Sequence, residues 1–139
     1  MTTELISRPV PTPDEASAPY FEGARQGRLL LMRCGECGTL RFPARPLCEA
    51  CWSDEVEWVP ASGRGIIYTY GIMHQVYHPA FASLVPYAIV VVELEEGPRM
   101  ISNLVGVAND QILVGMPVEV VFEEVGEGVY VPYFRPRAG

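Results

Sequence analysis

The pattern of hydrophobic and polar positions changes once along this chain, at a run of small residues, Ala61-Ser62-Gly63-Arg64-Gly65. Beyond it, Ile66, Tyr68, Tyr70, Ile72 and His74 alternate with Ile67, Thr69, Gly71 and Met73, the period of two that marks a long first strand. A loop follows over residues 75–86, containing His78-Pro79-Ala80-Phe81. Residues 87–94 are nearly all apolar and predict a second strand, and Glu95-Glu96-Gly97-Pro98 predicts a tight turn into a third strand over 99–105. Residues 109–113 predict one helical turn with an Asn or Asp cap, stopped by Gly115. Residues 117–122 and 129–134 complete the set as fourth and fifth strands around Gly126-Glu127-Gly128. Five strands with a short helical element between the third and fourth is the order of an OB-fold barrel, although an open sandwich shares the strand count. Gly71, in mid-strand, is where the first strand is expected to bend around such a barrel.

Upstream the period-two pattern is absent. Residues 6–13 carry three prolines and no periodicity, which predicts an extended, loose tail. Two helix starts follow, Thr12-Pro13-Asp14-Glu15 and Ser17-Ala18-Pro19, the second with proline near the first helical position. Tyr20, Phe21, Ala24 and Arg28 then recur at helical spacing, with Gly27 as the stop. Tyr20 and Phe21 need something to bury them, either the rest of this chain or a partner protein. Residues 29–33 predict a short apolar strand and Val56–Pro60 its return. The expected organisation is mainly β: a tail and helix over 1–28, a small unit over 29–62, and the barrel over 63–139.

All four cysteines lie between the two strands of that small unit, as Cys34-Gly35-Glu36-Cys37, ten residues, and Cys48-Glu49-Ala50-Cys51. Two C-x2-C knuckles at this spacing predict a rubredoxin-like zinc ribbon, four sulfurs set tetrahedrally at ~2.3 Å from one ion. The intervening residues 38–47, with Pro43 and Pro46, read as a stiff loop. A pair of disulfides is the other reading, and it needs an oxidising compartment. Met1-Thr2-Thr3-Glu4 has no basic region and no apolar run behind it, so no leader peptide is expected. No stretch approaches the ~20 apolar residues of a membrane span. The expectation is a cytoplasmic protein whose reduced thiols bind one structural Zn2+ per chain. Four cysteines leave that ion no open position for water or substrate, so it holds a fold and does not catalyse. A unit this small needs such a staple.

Charge narrows the chemistry. The net charge is -7, from 17 acidic and 10 basic residues, and every basic residue is Arg. Without lysine, Schiff-base chemistry and a lysine base are excluded. There is no G-x-S-x-G and no glycine-rich phosphate loop. Only His74 and His78 could serve as a conventional base near neutral pH, and both read better as packing or interface residues. Between positions 25 and 45, five arginines (25, 28, 33, 41 and 45) face one acid, Glu36. They either offset the charge of a zinc–thiolate centre or hold an anionic ligand. From Arg64 onward, eight acids face four arginines. Zinc ribbons and OB folds both bind nucleic acid, and Tyr68, Tyr70, Tyr77 and Phe81 could stack bases. An acidic barrel is the wrong surface for a phosphate backbone, so nucleic acid is the unfavoured reading.

Several segments together carry a family resemblance: Tyr20-Phe21-Glu22-Gly23 with Gly27-Arg28-Leu29, the double knuckle with Phe42-Pro43 and Arg45-Pro46 inside it, Ser62-Gly63-Arg64-Gly65, His78-Pro79-Ala80-Phe81, Gly115-Met116-Pro117-Val118, and Phe134-Arg135-Pro136. They span about residues 20–136, and the sequence resembles the small zinc-ribbon plus OB-fold proteins once filed as a domain of unknown function. One departure is Trp52 after the second knuckle, where a Gly-like residue is usual; it leaves the cysteines untouched. The resemblance implies a non-catalytic, acyl-CoA-associated subunit. Its partners would be thiolases, thiolase-like aldolases or hydroxymethylglutaryl-CoA synthases, with hydratases of the hot-dog type as a further partner. It implies a hetero-oligomer in which a CoA thioester is held through the complex. The expected partner or CoA contacts are Tyr20 and Phe21 on the helix, Arg41, Phe42 and Arg45 in the ribbon, and Tyr77, His78 and Phe81 in the loop after the first barrel strand. A stand-alone acyl-CoA-binding protein is the alternative within the same chemistry.

Overall fold

A computed structural model of the chain describes residues 9–42 and 45–138. The chain start at 1–8, including the first part of the predicted tail, and Pro43 of the ribbon loop lie outside the described residues. One helix, α1 (Ala18–Arg25), precedes eight strands: β1 (Leu30–Cys34), β2 (Leu40–Arg41), β3 (Val56–Pro60), β4 (Arg64–Met73), β5 (Tyr87–Leu94), β6 (Arg99–Leu104), β7 (Pro117–Gly126) and β8 (Val129–Pro136).

The five strands from β4 onward close into a barrel in the order β4-β5-β6-β8-β7. All pairs are antiparallel except β6 with β8, which meet in parallel where Leu104 faces Phe134. This is the OB-fold connectivity, and the closure removes the open-sandwich alternative. Strand β5 shows why the fold takes this form. Ala88, Val90, Val92 and Leu94 are buried at every second position, while their neighbours are only half covered. Ile67, Met100, Leu104, Ile112, Val118 and Phe134 complete the core they begin.

Four local expectations need correction. Gly71, the expected bend, pairs regularly with Ile89 and is no irregularity in the register. The register instead slips between Ile67 and Thr69, with Tyr68 as the extra residue. An inserted residue sharpens the twist and resets the in–out alternation, which is how one strand serves two neighbours. That strand begins at Arg64 because Arg64, Gly65 and Ile66 pair with β7 to shut the barrel, and it stops at Met73, leaving His74 outside it. The helical turn before β7 is a 3₁₀ turn over Asn109–Gln111 with Ala108, not Asn or Asp, at its start. Asn109 instead donates its side-chain amide to the Pro86 carbonyl at 3.1 Å. In the ribbon, the stretch read wholly as loop contains β2, whose Arg41 and Leu40 pair with Met32 and Arg33 of β1.

The helix begins at the second of its two candidate starts. Asp14 leads in, its Oδ1 accepting from the Ser17 amide at 2.8 Å and the Ser17 hydroxyl at 2.7 Å. The hydroxyl bond comes first among the causes that hold the Asp14 carboxyl below its usual range. Gly27, at φ 79°, ends the helix as expected of a residue free to turn left-handed.

Ribbon and barrel share one core. Leu29 and Leu31 lie in the same buried cluster as Ile67, Val90 and Val118, with Tyr20, Phe42 and Val59 packed on it. The small-residue stretch between them is a fixed joint. The Ala61 amide donates to the Leu29 carbonyl at 2.8 Å, and the Ser62 amide to Glu96 Oε2 at 2.7 Å. Gly63 sits at φ 80°, and a Cβ there would stand 2.6 Å from Val120 Cγ1, so no other residue fits.

Candidate metal centre and the surfaces around it

The two knuckles are near copies of each other. In the first, the Cys34 amide donates to the Thr39 carbonyl at 2.9 Å and the Gly38 amide to the Cys34 carbonyl at 3.0 Å. In the second, the Cys48 amide donates to the Ser53 carbonyl at 2.9 Å and the Trp52 amide to the Cys48 carbonyl at 2.8 Å. Each knuckle also aims a backbone amide at its first sulfur: Cys37 N–H to Cys34 Sγ and Ala50 N–H to Cys48 Sγ, both at 3.4 Å. The bond to Cys34 favours its thiolate over the thiol. The Thr39 hydroxyl does the same for Cys37, whose thiol is held down at about 6.

The result is a four-sulfur cage. The Sγ atoms of Cys34, Cys37, Cys48 and Cys51 all lie within 4.8 Å of one another, with Cys34 and Cys48 buried and the other two at the surface. Cys34 Sγ is 3.5 Å from Cys51 Sγ, and Cys37 Sγ is 3.6 Å from Cys48 Sγ, so no disulfide is formed. Four soft donors at tetrahedral separations are able to hold one zinc ion, which would use all four positions to tie β1 to the second knuckle.

The departure at Trp52 has a backbone meaning. Gly38 and Trp52 occupy equivalent places, and both have positive φ, 77° and 64°. A left-handed residue is what the turn requires, and Trp52 is the non-glycine residue that pays the steric cost. The residue is 75% exposed, so little packing offsets that cost. Trp52→Gly is therefore expected to stabilise the ribbon by ~1 kcal/mol, read as a rise in Tm of the zinc-loaded protein. A fall in Tm would show that indole contacts hold the knuckle.

The other predicted residues fall into two groups. Tyr20, Phe21 and Phe42 come together, with Tyr20 centred 5.2 Å from Phe21 and 5.6 Å from Phe42. All three are half-buried, and burial pushes the Tyr20 phenol well above its ordinary value. This aromatic cluster joins helix to ribbon, so its first task is internal. Arg41 is buried, and Arg45 is exposed beside Glu49. In the loop after β4, Tyr77 is 76% exposed, while His78 and Phe81 stack edge-on at 6.1 Å, and Phe81 lies 6.1 Å from Tyr87. His78 Nδ1 accepts from the Ala80 amide at 3.1 Å, capping a 3₁₀ turn over Pro79–Phe81. That bond gives His78 a structural task.

Phe81 also walls a cleft of about 220 Å³ with Leu84, Tyr87, Leu104, Glu123 and Tyr133. Apart from Phe81, these residues were not singled out by sequence, because they come from separate strands and only barrel closure assembles them. On the outer face of β4–β6, Ile66, Tyr68 and Ile101 are exposed, and Arg99 lies 3.8 Å over the Tyr68 ring. No helix among the described residues is long and apolar enough to cross a membrane.

A four-cysteine ribbon fused through a common core to a closed five-stranded barrel defines the class: a zinc-ribbon plus OB-fold protein. Two family models match in succession, the ChsH2 rubredoxin-like zinc ribbon domain over residues 21–57 and the ChsH2 C-terminal OB-fold domain over 58–123. The chain belongs to this ChsH2-type, DUF35 family. A DUF35 domain-containing scaffold protein of Methanocaldococcus jannaschii is 39% identical over 100 residues, covering 71% of this chain and 70% of that one. A probable enoyl-CoA hydratase alpha subunit of Thermomonospora curvata is 43% identical over 129 residues, covering 93% of this chain. The chain spans only 40% of that relative's length. A benzoylsuccinyl-CoA thiolase subunit, BbsA, of Geobacter metallireducens is 33% identical over 94 residues, 68% of this chain and 56% of that one. Among solved structures, an Ltp2-ChsH2(DUF35) aldolase chain superposes with a TM-score of 0.82 at 43% identity, over 91% of this chain and 98% of that chain.

Proposed function

We propose that this chain is a non-catalytic accessory subunit of a thiolase-superfamily enzyme, a thiolase or thiolase-like aldolase, acting on acyl-CoA thioesters. The observation that carries this reading is the fit to the Ltp2-ChsH2(DUF35) aldolase chain, which leaves almost nothing of that chain unmatched. The relative named as a thiolase subunit supports the same partner class. The chemistry of the chain agrees. Its thiols are drawn to a closed metal site, its loop histidine is used as a cap, and lysine is absent. Carbon–carbon bond cleavage or formation would be the partner's work, with this subunit stabilising the complex and helping to hold CoA.

The working division is a helix-bearing segment over 1–28, the ribbon over 29–62 and the barrel over 63–139, in the reducing cytoplasm where thiols remain free for metal. Tyr77, His78 and Phe81, beside the apolar cleft, are the proposed principal contact. Phe42 and Arg45, with Tyr20 and Phe21 behind them, are the second, and Arg41 lies beneath that surface. A hot-dog-type hydratase is the second partner reading, favoured by the Thermomonospora curvata relative named as a hydratase subunit.

The test is co-purification of the tagged protein from its native host, followed by assay of the complex on acyl-CoA thioesters. A thiolase-like polypeptide in stoichiometric yield, with carbon–carbon activity, is the expected result. Tyr77→Ala should then weaken the complex by ~2 kcal/mol, the loss of an exposed aromatic anchor. Recovery of nucleic acid and no thiolase-like polypeptide would overturn the proposal.

A further inference from the structure

Five arginines cluster in the ribbon half, and the structure separates one of them from the rest. Arg25 pairs with Glu22, Arg33 with Glu57 and Arg45 with Glu49, all between exposed side chains. Arg28 is exposed to solvent. Arg41 is only 6% exposed, and it takes part in none of the ion pairs among the described residues. Its Nη2 donates to the Arg45 carbonyl at 2.9 Å, while Nε and Nη1 are buried with no partner among the described residues. A guanidinium does not shed its proton in a protein, so a full positive charge is enclosed here. Enclosing it without a countercharge is costly.

Strand register places the cysteine cage on the same side of the sheet as this charge. Arg41 faces Met32 across β2 and β1, and Met32 lies two residues from Cys34. Alternation along β1 therefore places Arg41, Met32 and Cys34 on one face of the ribbon sheet. Arg41 and the buried Cys48 also wall the same cleft, between β2, the second knuckle and Pro98–Arg99 of the barrel; the one carboxylate there, Glu49, is already paired with Arg45. A zinc ion held by four thiolates carries a net charge of about −2. We infer that Arg41 is the internal counter-cation of the zinc–thiolate centre, a positioning residue that acts on the metal site through its charge. The surface arginines are already engaged with carboxylates or screened by water; Arg41 is held where the dielectric is low and its field is strong. The Arg45 carbonyl keeps the guanidinium in place and ties the loop between the knuckles to the same charge.

The test measures zinc affinity of the full chain by competition with a chromophoric chelator. Arg41→Met is expected to weaken zinc binding ~10–100-fold, the range for outer-shell partners of metal ligands. Arg41→Lys should stay within a few-fold of wild type, and Arg33→Met, a change at a surface pair, should match wild type. A charge cycle removes the ambiguity of poor folding. Cys51→His replaces one thiolate by a neutral ligand. It should weaken zinc binding in the wild-type background but recover part of the loss in the Arg41→Met background. If Arg41→Met does not fold with excess zinc, the cycle is read as zinc-dependent refolding, and a double variant that folds where the single does not supports the inference. Wild-type affinity in Arg41→Met overturns it. So does equal loss in the Lys and Met variants, or strictly additive effects in the cycle.

Discussion

Replacing Cys34 with serine is expected to abolish stoichiometric zinc binding and to melt the ribbon, and with it a large part of the protein's stability. The serine oxygen is a poor ligand where a soft thiolate is needed, and it sits at a buried position that neither water nor a neighbour can supply. Structural zinc contributes ~10–16 kcal/mol of apparent binding energy in isolated fingers, as large as the ~5–15 kcal/mol by which most domains are stable. The loss does not stay local. Leu29 and Leu31, on the ribbon side, are buried in the same cluster as the barrel's Ile67, Val90 and Val118, so a ribbon that unravels uncovers the barrel core as well. Wild-type protein purified in reducing buffer should hold one zinc per chain by elemental analysis. Cys34→Ser should hold none, and its Tm should fall by tens of degrees or its transition vanish. A metal-free wild type with an unchanged melting curve would refute the role assigned to the cage, and so would a Cys34→Ser variant as stable as wild type.

The reach of the sequence is uneven, for physical reasons. The cysteine cage could be read because ligand chemistry demands particular residues at particular spacing. Strand β5 could be read because alternate burial leaves a mark at every position. The bulge at Tyr68 could not, since a slip in register depends on what the neighbouring strand offers; Gly71 carried the compositional signal, and Tyr68 carries the slip. Strand β2 is two residues long and owes its existence to pairing with β1, so no pattern within it could announce it. The five arginines were visible as a cluster, but only the fold separates four surface residues from the buried Arg41. The aromatic pair Tyr20 and Phe21 is legible as residues that need burial, and the structure supplies Phe42 as a neighbour within the chain. Trp52 stood out as a residue in a glycine's place, and its positive φ gives the reason.

Phe134→Ala is expected to cost ~3–5 kcal/mol, the usual penalty for removing a fully buried phenyl ring and leaving a cavity. Phe134 is the largest side chain with no exposed surface, and its place in the topology makes the cavity hard to close. It faces Leu104 at the parallel junction of β6 and β8 and Val120 on β7, the two pairings that hold β8 in the barrel. Its carbonyl accepts from the Val105 amide at 2.8 Å, so backbone closure and ring packing coincide at one residue. Strands that must stay paired to keep the barrel shut cannot slide inward to fill the gap. The fall in Tm should be ~10–20 °C, measured on zinc-loaded protein so that the ribbon is not the variable. The four thiols should still bind zinc, because the cage is built from the knuckles alone. A variant that keeps zinc yet melts early would show that the metal fixes the ribbon while Phe134 fixes the barrel. A Tm within ~2 °C of wild type would mean that the ring is not what closes the barrel.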